Sequence, residues 1–372
     1  MAWLKVGSGY LLVGLLLCAG AGLLSGLFAG LVRLGWSIEG GSPISPVAHG
    51  PLMINGFLGT LIGLERAAAL DKKWAYFAPL LLAASTILLL AGNVTHGKHL
   101  LVAGSFFLFM VLVYLYHLRP VTYHLVMALG GASLLAGNIL FQYGFPIYNL
   151  VAWWAGFPLL TIFGERLELN RIMRPPVKAQ RLFSVLVILW IIGVGFTYVD
   201  RYTGWAIASI VLIAQALWLF KYDVARKTIK ASAWTRYSAI CLLSGYVWLV
   251  MAGLLGLTHG FPASGPLYDA LLHMIFIGFV FSMIFAHAAV IIPSLSGRMV
   301  PYSRYFYLPL VLLHGFLLLR VAGDMAWIPE WRTAGSYGNV LAILLFLGGI
   351  IVQLSGFSPN RTAITPKRSE NR

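Results

Sequence analysis

Four histidines lie within long apolar stretches of the sequence, where ionisable side chains are rare and usually functional. They are His49, His273, His287 and His314. Neutral imidazole is a common metal ligand, and two imidazoles from different helices can fill both axial positions of a haem iron. These residues therefore predict metal or haem binding. The competing interpretation is that each histidine only hydrogen-bonds a neighbouring helix.

The spacing of the histidines suggests how they pair. His273 and His287 share one apolar run and are fourteen positions apart, so an α-helix places them within about 40° of one face and about 21 Å apart in depth. His49 opens another run, at a depth near that of His273. We expect His49 with His273 to bind one haem. His287 with His314 on the next run would form a second site for haem or copper.

Two Glu-Arg pairs stand near the ends of apolar runs. Glu65-Arg66 ends one run and Glu165-Arg166 ends another, each after a short Gly-containing segment. Two hypotheses stay open for them. They form interhelical ion pairs, or they have a function, in which carboxylates admit protons or Arg66 and Arg166 hold the propionates of a haem.

The elements that position these residues are predicted to be transmembrane helices. Of the 372 residues, 60% are hydrophobic and only 10% are charged. The apolar runs are about 20 residues long, enough to cross a bilayer, and they lack the alternation of a β-barrel. We predict an all-α integral membrane protein with about twelve spans. The predicted ranges are 9–32, 47–68, 74–94, 99–118, 121–143, 147–168, 181–200, 203–221, 236–256, 267–294, 305–323 and 335–357.

The distribution of basic residues predicts the orientation. Most Lys and Arg residues fall in the loops after the even-numbered spans and in the tail, and such loops stay in the cytoplasm. Both termini are therefore predicted inside, in the inner membrane of a prokaryote and surrounded by lipid. Residues 1–357 form one polytopic domain and 358–372 a short polar cytoplasmic tail. The net charge of +15 is explained by these loops and does not predict nucleic-acid binding.

The two cysteines, Cys18 and Cys241, form no Cys-x-x-Cys motif. This excludes a thiolate metal site and covalent c-type haem attachment. The sequence also has no phosphate-binding glycine loop, His-Glu-x-x-His motif or nucleophile elbow.

The opening His49-Gly50-x-x-Met53 resembles the low-spin haem ligand segment in subunit I of haem–copper oxidases and nitric oxide reductases. That resemblance implies about twelve helices and a second axial histidine on helix 10, where His273 and His287 stand. The family's His-x-His and His-His copper ligands are missing here, so the resemblance does not extend to an oxygen- or nitric-oxide-reducing binuclear centre.

In size and layout the chain is similar to the NnrS family, membrane proteins associated with haem, copper and nitric oxide tolerance. The stretch from His273 to Gly297-Arg298, then Pro301 and a helix ending Leu319-Arg320, looks like that family's late helices. The resemblance implies haem, with copper as a further candidate, and a role in nitric oxide stress or denitrification. We expect the haem to be haem b.

Such a protein would bind or reduce a small diatomic ligand such as nitric oxide, or transfer electrons from a quinone or cytochrome. Whether it is an enzyme stays open. The alternative hypothesis is a proton-coupled transporter that uses the intramembrane histidines and the Glu-Arg groups.

Overall fold

A computed structural model of the chain describes residues 3–36 and 44–355, and no strand is found in these ranges. In the same ranges, twelve helices are long and apolar enough to cross a membrane, which fits a multi-pass membrane protein. We number them spans 1 to 12: Gly9–Arg33, Pro46–Leu70, Lys73–Leu90, Val94–Leu118, Thr122–Gln142, Ile147–Met173, Val177–Phe196, Arg201–Tyr222, Ala233–His259, Pro266–Ser296, Arg304–Ala326 and Pro329–Ser355.

The predicted all-α architecture and the number of spans are confirmed, but some ends differ from the prediction. Span 7 begins four residues earlier than predicted and span 12 six residues earlier. Their first turns contain charged residues, such as Lys178 and Glu330, so hydropathy alone places the start too late. Proline at or just before the first helical position begins both helices. The predicted tail, 358–372, lies outside the described residues.

Three spans form the centre of the bundle. In span 6, 78% of the most apolar stretch is buried inside the protein, followed by 61% in spans 2 and 10. The central spans are thus four apart in the chain. Span 2 begins near His49 and ends near Glu65, and we call the two ends of the bundle the His49 end and the Glu65 end.

Spans 2 and 10 share an unusual local structure. In span 2, residues Leu52–Gly59 form a π-helix just after His49-Gly50-Pro51, and in span 10 residues Met274–Phe281 form one directly after His273. The segments face each other, because the rings of Phe57 and Phe281 stack with centroids 6.0 Å apart. π-Helical turns occur mostly at functional sites, so the adjacent His49 and His273 are candidates for such a site.

Span 1 packs against span 2 through a row of glycines at four-residue intervals: Gly22, Gly26 and Gly30. A Cβ atom on Gly22 would lie 2.7 Å from the backbone carbon of Gly56, and one on Gly30 would lie 3.0 Å from the His49 ring. Small residues let membrane helices approach closely. The glycine row therefore brings span 1 against His49.

Substituting Gly30→Val should destabilise the protein by about 1–3 kcal/mol, because the added methyl groups overpack the space beside the His49 ring. Gly20→Val in the same helix is the matched control, since a Cβ there meets no atom within 4 Å. Thermal unfolding in detergent would measure both. Equal melting temperatures for the two variants would show that the glycine row does not limit this contact.

Candidate functional site

His49 and His273 lie together at the His49 end. Their ring centroids are 6.3 Å apart and their ring planes differ by 26°. His49 belongs to span 2 and His273 to span 10, so residues more than 200 positions apart meet between two central spans. The structure thus brings together the two residues that the sequence analysis pairs, and their role as haem ligands stays a prediction.

Each of the two imidazoles has one nitrogen held by the protein. Nδ1 of His49 donates to the carbonyl oxygen of Gly26 at 2.8 Å. Nδ1 of His273 donates to the carbonyl oxygen of Asp269, also at 2.8 Å. Since a carbonyl only accepts, both Nδ1 atoms carry a proton, and in a neutral imidazole this leaves the lone pair of Nε2 free. Neither Nε2 makes a hydrogen bond to another residue in the described ranges.

This arrangement is typical of metal-binding histidines, which donate their other N–H to a carbonyl or carboxylate. Imidazole nitrogens bind a metal such as zinc at about 2.0–2.1 Å, so two rings on opposite sides of one metal have centroids about 6 Å apart. The observed 6.3 Å matches that separation. The separation of the two rings therefore leaves room for one metal atom between them.

A cavity of about 440 Å³ adjoins the two histidines. Its volume is in the range of small-molecule and cofactor sites. Most of its walls are apolar or aromatic, but four charged residues also line it: Arg33, Arg320, Arg332 and Asp269. The cavity thus joins two free imidazole nitrogens, an apolar interior and cationic groups.

Two of the three arginines, Arg320 and Arg332, pair with carboxylates that the sequence analysis missed. Both oxygens of Asp269 accept hydrogen bonds from Arg320, at 2.7 and 2.8 Å. Nε of Arg332 is 3.9 Å from a carboxylate oxygen of Asp324, which is 1% exposed. Arg33 forms no ion pair with the residues described. The sequence alone could have pointed to these residues, because charged residues inside apolar helices are rare.

One wall of the cavity is fixed by a chain of buried hydrogen bonds. Nε1 of Trp154, a lining residue, donates to Oδ1 of Asn138 at 2.9 Å. Nδ2 of Asn138 donates to Oδ1 of Asn55 at 2.8 Å. The chain connects spans 2, 5 and 6 and holds the indole ring in place beside Gly50.

At the Glu65 end, the two Glu-Arg pairs come together. Arg66 donates to the carboxylate of Glu165, joining spans 2 and 6, and it lies 3.6 Å from Glu65. Arg166, only 3% exposed, donates to Nε2 of His287 at 2.7 Å. Neither Arg66 nor Arg166 lines the cavity at the opposite end. The predicted interhelical ion pair is therefore present.

His287 and His314 have other partners in the structure. Besides the bond from Arg166, His287 donates from Nδ1 to the Met283 carbonyl at 2.6 Å. His314 accepts from Nε1 of Trp248 at 2.8 Å and contacts Ser244 at 2.9 Å. No ring contact joins the two histidines. Within the described ranges no group of three or more His, Cys, Asp or Glu side chains is arranged for a metal ion. The second site stays a prediction.

Comparison with known proteins places the chain in one family. A family model described as a domain of unknown function, DUF8744, matches residues 11–355. No curated protein and no solved structure is significantly similar to the chain. The match runs from span 1 to the last residue of span 12, so it includes both ends of the bundle. The chain belongs to the DUF8744 family.

Proposed function

We propose that this chain is a b-type haem protein of the membrane with His49 and His273 as the two axial ligands. The observation that carries the proposal is the pair of imidazoles, with centroids 6.3 Å apart, both Nδ1 atoms bound to carbonyls and both Nε2 atoms free. A haem iron bound by two histidines needs this arrangement.

The cavity fits the rest of a haem. Haem b is a flat apolar ring with two carboxylate arms, and the cavity combines apolar walls with three arginines. Arginine is well suited to bind carboxylates in partly buried sites. Arg33 and Arg332 have the least engaged guanidinium groups and would hold the arms, because Arg320 already binds Asp269.

The ligand set favours electron transfer as the role of this site. A bound haem would supply a one-electron redox centre, and two histidines would fill both of its axial positions. Nitric oxide or another diatomic ligand would need a free axial position. We infer that electrons pass through this site, donated by a quinone or a cytochrome. A reaction with a diatomic ligand would take place at a second site, for which His287, His314 and copper remain the proposal.

We place both termini in the cytoplasm, so that the Glu65 end faces inward and the His49 end faces outward. The support is the excess of Lys and Arg in the loops at the Glu65 end, since basic loops stay in the cytoplasm. The inner membrane of a prokaryote and a role in nitric oxide stress, as in the NnrS family, complete the proposal.

A transporter is the second candidate, and one observation favours it. The cavity lies at the His49 end, whereas Arg66, Glu165, Arg166 and His287 link the three central spans at the Glu65 end. A site next to one face and ion pairs across the other suit alternating access. Protons would then move on Glu65, Glu165 or His287.

Absorption spectra of the purified protein decide between the candidates. The protein would be made in haem-supplied cells, and oxidised and dithionite-reduced spectra would be recorded with a pyridine haemochrome assay. Sharp reduced α and β bands and about one haem b per chain are expected. Colourless protein from these cells would overturn the haem proposal, and proton-driven uptake assays would then test the transporter.

A further inference from the structure

The two histidines of the pair differ in what their Nδ1 atoms face. His49 donates to the backbone carbonyl of Gly26, a neutral group. His273 donates to the backbone carbonyl of Asp269, and its Nδ1 atom also lies 3.2 Å from a carboxylate oxygen of that residue. One imidazole thus has a neutral acceptor, and the other has a neutral acceptor together with an anion.

The carboxylate of Asp269 is held firmly in this position. Arg320, from span 11, binds both of its oxygens and is itself 7% exposed. A two-point bond between guanidinium and carboxylate fixes direction as well as distance. Asp269 lies one helical turn before His273 on span 10. The helix therefore places the carboxylate beside the His273 ring, and Arg320 holds it in that position.

We propose that Asp269 and Arg320 are positioning residues that make His273 the stronger electron donor of the pair and lower the reduction potential of the iron. This inference rests on the haem function proposed above. A carboxylate acceptor draws the Nδ1 proton and raises the basicity of the ligand. A more basic ligand stabilises the oxidised, more positive form of the iron.

Asp269→Asn tests the inference because it keeps the shape of the side chain and removes its charge. We expect the haem to remain bound to two histidines and the ratio of reduced to oxidised iron at a fixed potential to rise about tenfold. For one electron this equals an upward shift of about 59 mV. The measurement is a redox titration followed at the reduced α band.

Asp324→Asn is the matched control, because Asp324 is a nearby buried carboxylate that makes no hydrogen bond to His273. An equal shift in both variants would assign the effect to the general field of the charges and overturn the inference. An unchanged potential in Asp269→Asn would overturn it as well. If the unmodified protein bound no haem, the proposed function itself would fail, which is a distinguishable result.

Arg320→Lys keeps the test decisive if Asp269→Asn does not fold. Lysine preserves the charge but lacks the planar fork that grips both oxygens, so the carboxylate moves away from His273 more easily. A smaller upward shift is expected, with the α band of the bis-histidine haem unchanged. No shift in Arg320→Lys would then overturn the inference without the first variant.

Discussion

Replacing His273 with alanine should lower the haem content of the purified protein at least about tenfold, since even residues that only support a ligand change metal affinity 10–100-fold. The variant would remove one of the two proposed axial bonds and leave a space beside His49 where the ring stood. His49→Ala should have the same effect, because both imidazoles are ligands in the proposed site. The measurement is the haem-to-protein ratio from the pyridine haemochrome assay.

His314→Ala is the control for this prediction. It also removes an intramembrane imidazole, but the ring binds Trp248 and Ser244 and does not reach the cavity. Its haem content should stay close to that of the unmodified protein, with a stability loss of about 1–3 kcal/mol from the unpaired Trp248 N–H. Full haem content in His273→Ala would exclude His273 as a ligand.

Arg66→Ala should destabilise the protein by about 3 kcal/mol, because it leaves a partly buried carboxylate on Glu165 without its partner. The side chains of Arg66 and Glu165 are only 14% and 24% exposed, and they join spans 2 and 6. The loss should appear as a lower melting temperature in detergent. Haem bound at the His49 end should still give its normal spectrum after purification.

Two further variants make this prediction specific. The exchange Arg66→Glu with Glu165→Arg should recover part of the loss, because contacting residues couple by 0.5–3 kcal/mol. Arg171→Ala breaks an exposed pair with Glu168, whose side chains are 64% and 37% exposed, and should cost less than about 1 kcal/mol. Equal losses in Arg66→Ala and Arg171→Ala would show that the burial of the pair adds nothing to its strength.

The number and type of helices were predictable because lipid offers the backbone no hydrogen-bond partners, which restricts the sequences that can span a membrane. A span must be long, apolar and helical to satisfy its backbone, and the described part of the chain has twelve such segments. The ends of the spans were less predictable. Span 12 begins at Pro329 and runs through Glu330 and Arg332 before its apolar part, so its first turns have the composition of a loop.

The proximity of His49 and His273 was predictable, because the distance of a residue from the end of its apolar segment indicates its depth in the membrane. The charged partners of His273 were not found, although Asp269 stands four residues before it and Arg320 lies in an apolar run. The π-helical segments leave no simple sequence signal. The π-helical segment in span 10 lies between His273 and His287, so the angle between these residues differs from that in a regular α-helix.

The partners of His287 and His314 depend on the rotation of whole helices about their axes. Because spans 10 and 11 are adjacent in the chain, we expected these two histidines to meet. Instead, His287 forms a hydrogen bond with Arg166 of span 6 and His314 with Trp248 of span 9. Such rotations are decided by close packing. For example, a Cβ atom on Gly278 would lie 2.5 Å from the side chain of Trp248.

The central position of spans 2 and 6 has a consequence for biosynthesis. These two spans have the lowest mean hydropathy of the twelve, yet they are among the most buried. A nascent segment enters the bilayer according to its own hydrophobicity, so spans 2 and 6 gain the least from lipid alone. Span 1, which is far more apolar, presents its glycine row to span 2 before the rest of the chain is made. Span 1 is thus synthesised before span 2 and is already available to pack against it when span 2 enters the bilayer.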